Sequence, residues 1–268
     1  MRAPSAHFPK NAFLLSCAFT ALAWLGAPAA AADGCPQSGA PIVTDRPDVA
    51  NSSMVVPAGS LQSENGVNLS VRGGGQTLDG TNSRLRWGVA PCLELLVDLP
   101  TYFAAPRGRP GSGFSDVAPA VKWQLPPLPG EVTLSVTAGA GLPTGTAAIT
   151  GPGVQPYLQV PWSRELGSGW GVSGMVTAFF FPSDPVSHLT TESTFVLEKS
   201  VSDRADLFVE YVGDYPERGA PRLLLNSGAL YRLTPTQQID LHVAFGLNRN
   251  APGVIFGVGY SFRIDGLK

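Results

Sequence analysis

Hydrophobic and polar residues alternate with a period of two along most of the chain that follows residue 60. In the first such stretch the odd positions carry Leu61, Val67 and Leu69, whereas Gln62 and Glu64 occupy even positions. Similar stretches recur until close to the end of the chain. Because successive side chains of a β-strand point to opposite faces, this pattern predicts strands with one apolar and one polar face. We count about twelve such strands.

The connections between the predicted strands alternate in length. Long connections are expected at Gly73–Thr81, Pro100–Ser112 and Leu142–Pro152, and short ones at Ala90–Cys92, Pro126–Gly130 and Ser202–Arg204. An even number of strands, many near the roughly 9–11 residues that cross a bilayer at a tilt, is typical of closed transmembrane barrels. The predicted fold is all-β, a transmembrane antiparallel up-and-down β-barrel over residues 60–264, followed by a C-terminal tail at 265–268.

A soluble β-sandwich or lipocalin-like barrel would show the same alternation, with its apolar face turned inward. Bulky apolar residues in nearly every strand, and aromatic residues such as Trp87, Trp123 and Trp170 near strand ends, favour a membrane barrel with interfacial girdles instead.

The first 32 residues have the layout of a cleaved secretory signal peptide. Arg2 and Lys10 precede an apolar stretch, and small residues end at Ala30 and Ala32. Export leads into an oxidising compartment, where two remaining cysteines favour a disulfide. Cys35 and Cys92 both fall on the predicted periplasmic side, so a bond between them is geometrically reasonable. Residues 33–59 are either a periplasmic segment or a short plug, in which Asp45, Arg46 and Asp48 enter the lumen.

The composition narrows the class of protein further. Only 14% of the 268 residues are charged, yet no apolar run of about 18 residues follows the N-terminal region, which excludes a helical membrane protein. Removal of residues 1–32 leaves 16 basic and 20 acidic side chains, so a nucleic-acid partner is not expected. The few cysteines and histidines give no basis for a metal site, and no cofactor is expected.

The polar faces of the predicted strands would line the lumen with charges of both signs. Charged side chains of both signs do not form the ring of one sign that is typical of an ion-selective channel. The side chains either form internal ion pairs that hold the strands in register, or line a conduit that sorts small solutes. The predicted lumen-lining residues are Glu64, Arg72, Arg84, Arg86, Glu94, Asp98, Asp116, Lys122, Glu198, Glu210, Arg222, Arg232, Asp240, His242 and Arg263.

A series of short motifs resembles one family in order and spacing. The motifs are TDRPD at 44–48, VPAGSLQ at 56–62, RWGV at 86–89, GFSDV at 113–117, LPTG at 142–145, QIDL at 238–241 and GYSFR at 259–263. They are similar to the family named for the MetA-pathway of phenol degradation, over about residues 42–264. The resemblance implies an outer-membrane protein that passes small molecules, including hydrophobic or aromatic ones.

The function expected from these observations is passive uptake of small organic solutes through a channel in the bacterial outer membrane. The expected partners are outer-membrane lipid, the solutes and, during insertion, the barrel-assembly machinery. Two alternatives stay open, namely a structural or adhesive barrel with a closed lumen and a lipid-facing hydrolase. The hydrolase would need a His beside a Ser on the outer face, but His242 falls on the polar face, so no enzyme is expected.

Overall fold

Antiparallel β-strands make up the regular structure of the part of the chain that the structure describes. The computed structural model describes residues 34–104, 111–182 and 187–267, and in these ranges no helix is long and apolar enough to cross a membrane. The signal peptide predicted for residues 1–32 lies outside the described residues. The strands are β1 (Leu61–Arg72), β2 (Gly75–Gly80), β3 (Arg84–Ala90), β4 (Leu93–Asp98), β5 (Tyr102–Ala104), β6 (Gly113–Phe114), β7 (Ala118–Gln124), β8 (Thr133–Gly141), β9 (Gln155–Gly167), β10 (Trp170–Phe181), β11 (His188–Ser202), β12 (Ala205–Pro216), β13 (Arg222–Thr234), β14 (Gln237–Gly246) and β15 (Val254–Ile264).

Consecutive strands pair with one another around a closed cylinder. Twelve antiparallel strands form the wall, and three of these wall strands are interrupted, so that each consists of two of the numbered strands in succession. The successive pairs are β2 with β3, β4 with β5, and β6 with β7. The last strand pairs with the first in a register that runs from Leu61↔Ile264 to Val71↔Val254. The predicted twelve-stranded barrel is therefore confirmed. The end of the barrel that carries both chain ends is periplasmic in this architecture.

The first extracellular connection differs from the sequence prediction. In place of a long loop over Gly73–Thr81, the chain turns at Gly73 and Gly74 and returns at once as β2. The two glycines have φ values of 54° and 81°. Consecutive residues with positive φ form the tight turn that suits a hairpin, and glycine adopts this conformation without steric cost.

The outer surface of the wall is apolar and the inner surface is polar. Trp87, Trp123 and Trp170 lie near the periplasmic ends of their strands, with 42–48% of their surface exposed. Among the largest fully buried side chains are Arg86 and Lys122, which point inward. This distribution is the reverse of that in a soluble protein, so the soluble alternative is wrong. A closed barrel with an apolar belt and aromatic girdles belongs in the bacterial outer membrane.

Candidate functional site

The N-terminal segment lies inside the periplasmic half of the barrel. Near its start the Gln124 amide donates to the Gly34 carbonyl oxygen (3.0 Å), and Arg263 Nη2 donates to the Ala40 carbonyl oxygen (2.6 Å). Farther along, the chain reaches the middle of the lumen and then turns back. It leaves the barrel interior where the Gly59 backbone N–H donates to a wall carbonyl oxygen (2.7 Å), just before β1. We call residues 40–56 the lumenal segment.

A disulfide fixes the chain at the entrance to the lumen. Cys35 is bonded to Cys92, which lies on the periplasmic turn between β3 and β4, and the two Cα atoms are 5.3 Å apart. Cys92 has a φ of 61° and lies in the left-handed region of a two-residue turn. Since β1 follows the lumenal segment directly, that segment is attached to the wall at both of its ends.

The tip of the lumenal segment is bound by one buried carboxylate. Glu210, on the inner face of β12, is fully buried. Its Oε1 accepts hydrogen bonds from the backbone N–H groups of Val49 (3.0 Å) and Ala50 (2.8 Å). Its Oε2 accepts from Val49 N–H (2.9 Å) and from the Asn226 amide (2.9 Å). A buried acid is thus matched to backbone donors that the segment cannot pair within itself.

Two further wall carboxylates bind backbone N–H groups on either side of the tip. Glu64 Oε2 accepts from the Asp45 backbone N–H at 2.9 Å, and Glu94 Oε2 accepts from the Val56 backbone N–H at 2.6 Å. Both side chains are completely buried. Hydrogen bonds to a charged acceptor are stronger than neutral ones, so these contacts hold the path of the chain independently of its side chains.

Asp45 is the centre of a buried cluster of charges. Its carboxylate lies 2.9 Å from Arg84 Nη1, 3.2 Å from Arg86 Nη1 and 3.3 Å from Lys122 Nζ. Burial alone would raise the pKa of the Asp45 carboxyl, but the positive charges of Arg86, Lys122 and Arg84 hold that pKa well below its ordinary value. The wall therefore supplies a cationic socket for an anionic residue of the lumenal segment.

The same cations are balanced by acids of the wall. Arg86 contacts Glu64 and Glu94, each at 3.0 Å, and Arg84 contacts Asp98 at 2.6 Å. Every charge of the cluster thus has a partner of opposite sign, as burial requires. The structure brings these predicted lumen residues together around one residue of the N-terminal segment.

Arg46 lies against the neighbouring part of the wall, which is formed by β1, β15 and β14. Its Nη2 is 3.2 Å from Asp240 Oδ1, whose side chain is fully buried. The guanidinium fits against Gly66 and Gly259, which face each other across β1 and β15. A Cβ on either glycine would collide with the guanidinium, so the bare backbone here makes room for Arg46.

Two cavities meet at the lumenal segment. One cavity, of about 240 Å³, lies on the extracellular side of the segment and is lined by residues such as Ser83 and Asp98. The other, of about 420 Å³, opens toward the periplasmic ends of β8–β13. Arg46 and Asn51 line both. The two spaces therefore adjoin each other at these side chains.

Asp48 faces the periplasmic cavity beside two acids of the wall. Burial raises the pKa of the Asp48 carboxyl well above its ordinary value, and the nearby Glu210 and Glu198 raise it further. Of the three residues predicted for a plug, Asp45 and Arg46 make ion pairs with the wall, whereas Asp48 lies among carboxylates.

The other predicted lumen residues differ in depth. Glu198, Arg232, His242 and Arg263 lie within the barrel. Glu198 accepts from Ser173 Oγ (2.7 Å), Arg232 pairs with Asp206 (2.5 Å), Arg263 pairs with Asp265 (2.6 Å), and the His242 ring lies between Asn226 (3.1 Å) and Asn68 (3.2 Å).

Three predicted lumen residues lie toward the extracellular end. Arg72 ends β1 and donates to the Arg249 carbonyl oxygen (3.2 Å). Arg222 begins β13, with 61% of its side chain exposed. Asp116 precedes β7, lines the cavity of about 240 Å³ and accepts from Gly145 N–H (2.8 Å), thereby also holding an extracellular loop.

Sequence reasoning missed Phe179 and Phe181, which belong to a row of inward-facing aromatic side chains. Tyr157, Phe179, Phe181 and His188 follow one another near the extracellular end of the lumen. The signal was present, because Phe179 and Phe181 are in phase with Thr177, which is completely buried on the inner face.

The fold and lumen define a class of protein, a twelve-stranded outer-membrane barrel whose N-terminal segment occupies the periplasmic half of its lumen. The profile of the "MetA-pathway of phenol degradation" family matches residues 44–264, so the chain belongs to that family. The resemblance noted in the sequence is thus confirmed. No curated protein sequence matches the chain.

Solved structures share the barrel fold at low sequence identity. The chain is similar to the COG4313 outer membrane channel from Pseudomonas putida F1, with a TM-score of 0.62 and 15% identity over 83% of this chain and 100% of that one. It is also similar to the NanC porin, with a TM-score of 0.55 and 8% identity over 76% of this chain and 100% of that one. At such identities the likeness concerns the fold alone.

Proposed function

We propose that the protein is an outer-membrane channel for passive passage of small organic solutes, with the lumenal segment as its constriction. The observation that carries this proposal is the pair of cavities that share Arg46 and Asn51 as lining residues. A small rearrangement of these two side chains would join the two spaces into one path. No external energy source is needed for such diffusion.

The solute class follows from the size and chemistry of the path. The spaces on either side of the constriction measure about 240 and 420 Å³, and the larger one falls within the range of pockets that hold single small molecules. Their linings combine ion-paired side chains with amides and hydroxyls, so no single sign of charge is selected. The family name, which refers to phenol degradation, supports aromatic compounds among the solutes.

A closed structural barrel is the second candidate, and the buried charge cluster favours it. The contacts of Asp45, Glu94 and Glu210 with the wall and the lumenal segment are extensive enough to hold the lumen shut permanently. A lipid-facing hydrolase has less support, because His188 and His242, the two histidines among the described residues, both lie on the inner face.

Liposome swelling separates the channel from the closed barrel. The purified protein is inserted into liposomes, and the rate of swelling is measured with uncharged solutes of increasing size. The channel predicts swelling that falls steeply with solute size, because passage is limited by one narrow point. Correctly inserted protein that gives no swelling above empty liposomes, even with the smallest solute, would establish the closed barrel instead.

A further inference from the structure

An aromatic row runs along the inner wall at the extracellular end of the lumen. The ring centroids of Tyr157 and Phe179 are 6.1 Å apart, and those of Phe179 and Phe181 are 6.3 Å apart. The ring of His188 stacks on Phe181 at 5.5 Å, with 23° between the two planes. Phe180, which lies between the two phenylalanines in sequence, faces outward and is 49% exposed. The row therefore belongs to the lumen and not to the lipid-facing girdle.

A cavity of about 380 Å³ lies against this row. Phe179 and Phe181 form its apolar side, and Glu192, Asp214 and Arg222 form its charged side. The volume falls within the range of sites for small organic ligands, and the combination of aromatic walls with a few polar groups is characteristic of such sites.

The acids of the cavity are unequally compensated. Asp214 is paired with Arg222, whose Nε donates to it at 2.8 Å. Glu192 lies directly opposite Asp214 across β11 and β12, and within the part of the chain that the structure describes it has no hydrogen bond or ion pair. Two like charges placed opposite each other on neighbouring strands are unfavourable. A donor delivered by a ligand would give Glu192 the partner that the protein does not supply.

We propose that this cavity is a binding site for a planar aromatic ring that carries a hydrogen-bond donor. The ring lies against Phe179 and Phe181, and its hydroxyl or ammonium group donates to the Glu192 carboxylate. The inference rests on the proposed channel function in one respect only, namely that the role of the site is to collect solute at the outer mouth before the constriction. Binding itself does not require that solute pass.

The test measures binding to the full-length barrel in lipid nanodiscs by ligand-observed NMR. Three probes of similar size separate the two contributions, since phenol has an aromatic ring and a donor, cyclohexanol has a donor but no aromatic ring, and anisole has an aromatic ring but no donor. Empty nanodiscs correct for partition into lipid. The variants are Phe181→Leu and Glu192→Gln, and Phe180→Leu is the matched control because it changes the same residue type on the lipid side.

The wild-type protein is expected to bind phenol more tightly than either other probe. Phe181→Leu should weaken phenol binding by about 3- to 10-fold and leave cyclohexanol unchanged, from the strength of ring–ring contacts. Glu192→Gln should weaken phenol by about 5- to 10-fold, because a charged acceptor becomes neutral, and leave anisole unchanged. Phe180→Leu should match the wild type.

Equal binding of the three probes, or an unchanged affinity for phenol in Phe181→Leu, would overturn the site. This outcome is distinguishable from failure of the channel. Selective phenol binding without any liposome swelling would keep the site and refute passage. Swelling without selective binding would keep the channel and refute the site.

Discussion

Replacing Glu210 by Gln should release the tip of the lumenal segment. The two carboxylate oxygens accept four hydrogen bonds, of which three come from the backbone N–H groups of Val49 and Ala50. A glutamine side chain has the same shape but replaces one oxygen by an NH₂ group. Whichever oxygen is replaced, the NH₂ group faces the Val49 N–H and one further donor, Ala50 N–H or the Asn226 amide.

The size of the effect follows from these contacts. A buried hydrogen bond to a charged group contributes roughly 1.5–3 kcal/mol, and a donor left unpaired costs about 1–3 kcal/mol. Losing at least one such bond at the tip should therefore shift the balance between bound and released segment by about 2–4 kcal/mol. This corresponds to a roughly 30- to 700-fold rise in the released fraction.

Single-channel recording in planar bilayers measures this shift as the fraction of time spent in the state of higher conductance. Glu165→Gln is the control, because it makes the same charge change at an exposed position near the periplasmic end of β9. If Glu210→Gln and Glu165→Gln show open fractions within twofold of each other, the buried carboxylate does not hold the segment and the reasoning is refuted.

Three further predictions concern the same segment. Reduction of the Cys35–Cys92 bond, or Cys92→Ser, should raise the open fraction, since the segment is then anchored at one end only. Either change should also lower the unfolding free energy by about 4 kcal/mol, as expected for a loop of this length. A gel mobility on heating equal to that of the untreated wild type would contradict this prediction. Asp48→Asn should reduce opening at pH 8 but not at pH 4. Because the pKa of Asp48 is raised, its favourable neutral form is fully present below the ordinary carboxyl pKa and is lost as the pH rises through the raised value. A difference between the recordings of Asp48→Asn and the wild type that does not change with pH would refute this prediction. Gly66→Ala should displace the Arg46 guanidinium and increase swelling rates of liposomes, and rates equal to the wild type would contradict the packing described here.

The barrel could be predicted from the sequence because its wall has a simple rule. Because lipid lies on one side of the wall and a polar lumen on the other, alternate residues must differ in polarity. The alternation that begins at Leu61 and Gln62 therefore indicates the strand directly. The first hairpin was partly missed, because Gly73 and Gly74 suggested a flexible loop. Their positive φ values instead form the turn of a longer hairpin.

The lumenal segment could not be predicted to the same depth. Its contacts are made largely by backbone N–H groups, for example those of Val49 and Val56, which every sequence possesses. Residues 40–56 show no hydrophobic periodicity, because the segment forms neither a helix nor a strand. Asp45 and Arg46 were candidates for a plug, but which charges of the wall would receive them depends on strand register, which the sequence pattern fixes only locally.

The inward direction of Phe179 and Phe181 was missed for a related reason. The run Ala178–Phe181 is apolar at every position, so alternation is interrupted at the point where the lumen itself becomes aromatic. The spacing of two from Thr177 indicates that Phe179 and Phe181 share its face, and the pairing of β10 with β9 and β11 confirms it.

The most direct test of the central claim is the single-channel conductance of Arg46→Ala compared with the wild type and with Arg204→Ala, an exposed arginine on a periplasmic turn. Arg46 lines both cavities and lies where they adjoin each other. The account predicts that Arg46→Ala raises the conductance severalfold, whereas Arg204→Ala does not. Equal conductance in all three proteins would show that the path does not pass this residue, and would contradict a constriction at the lumenal segment.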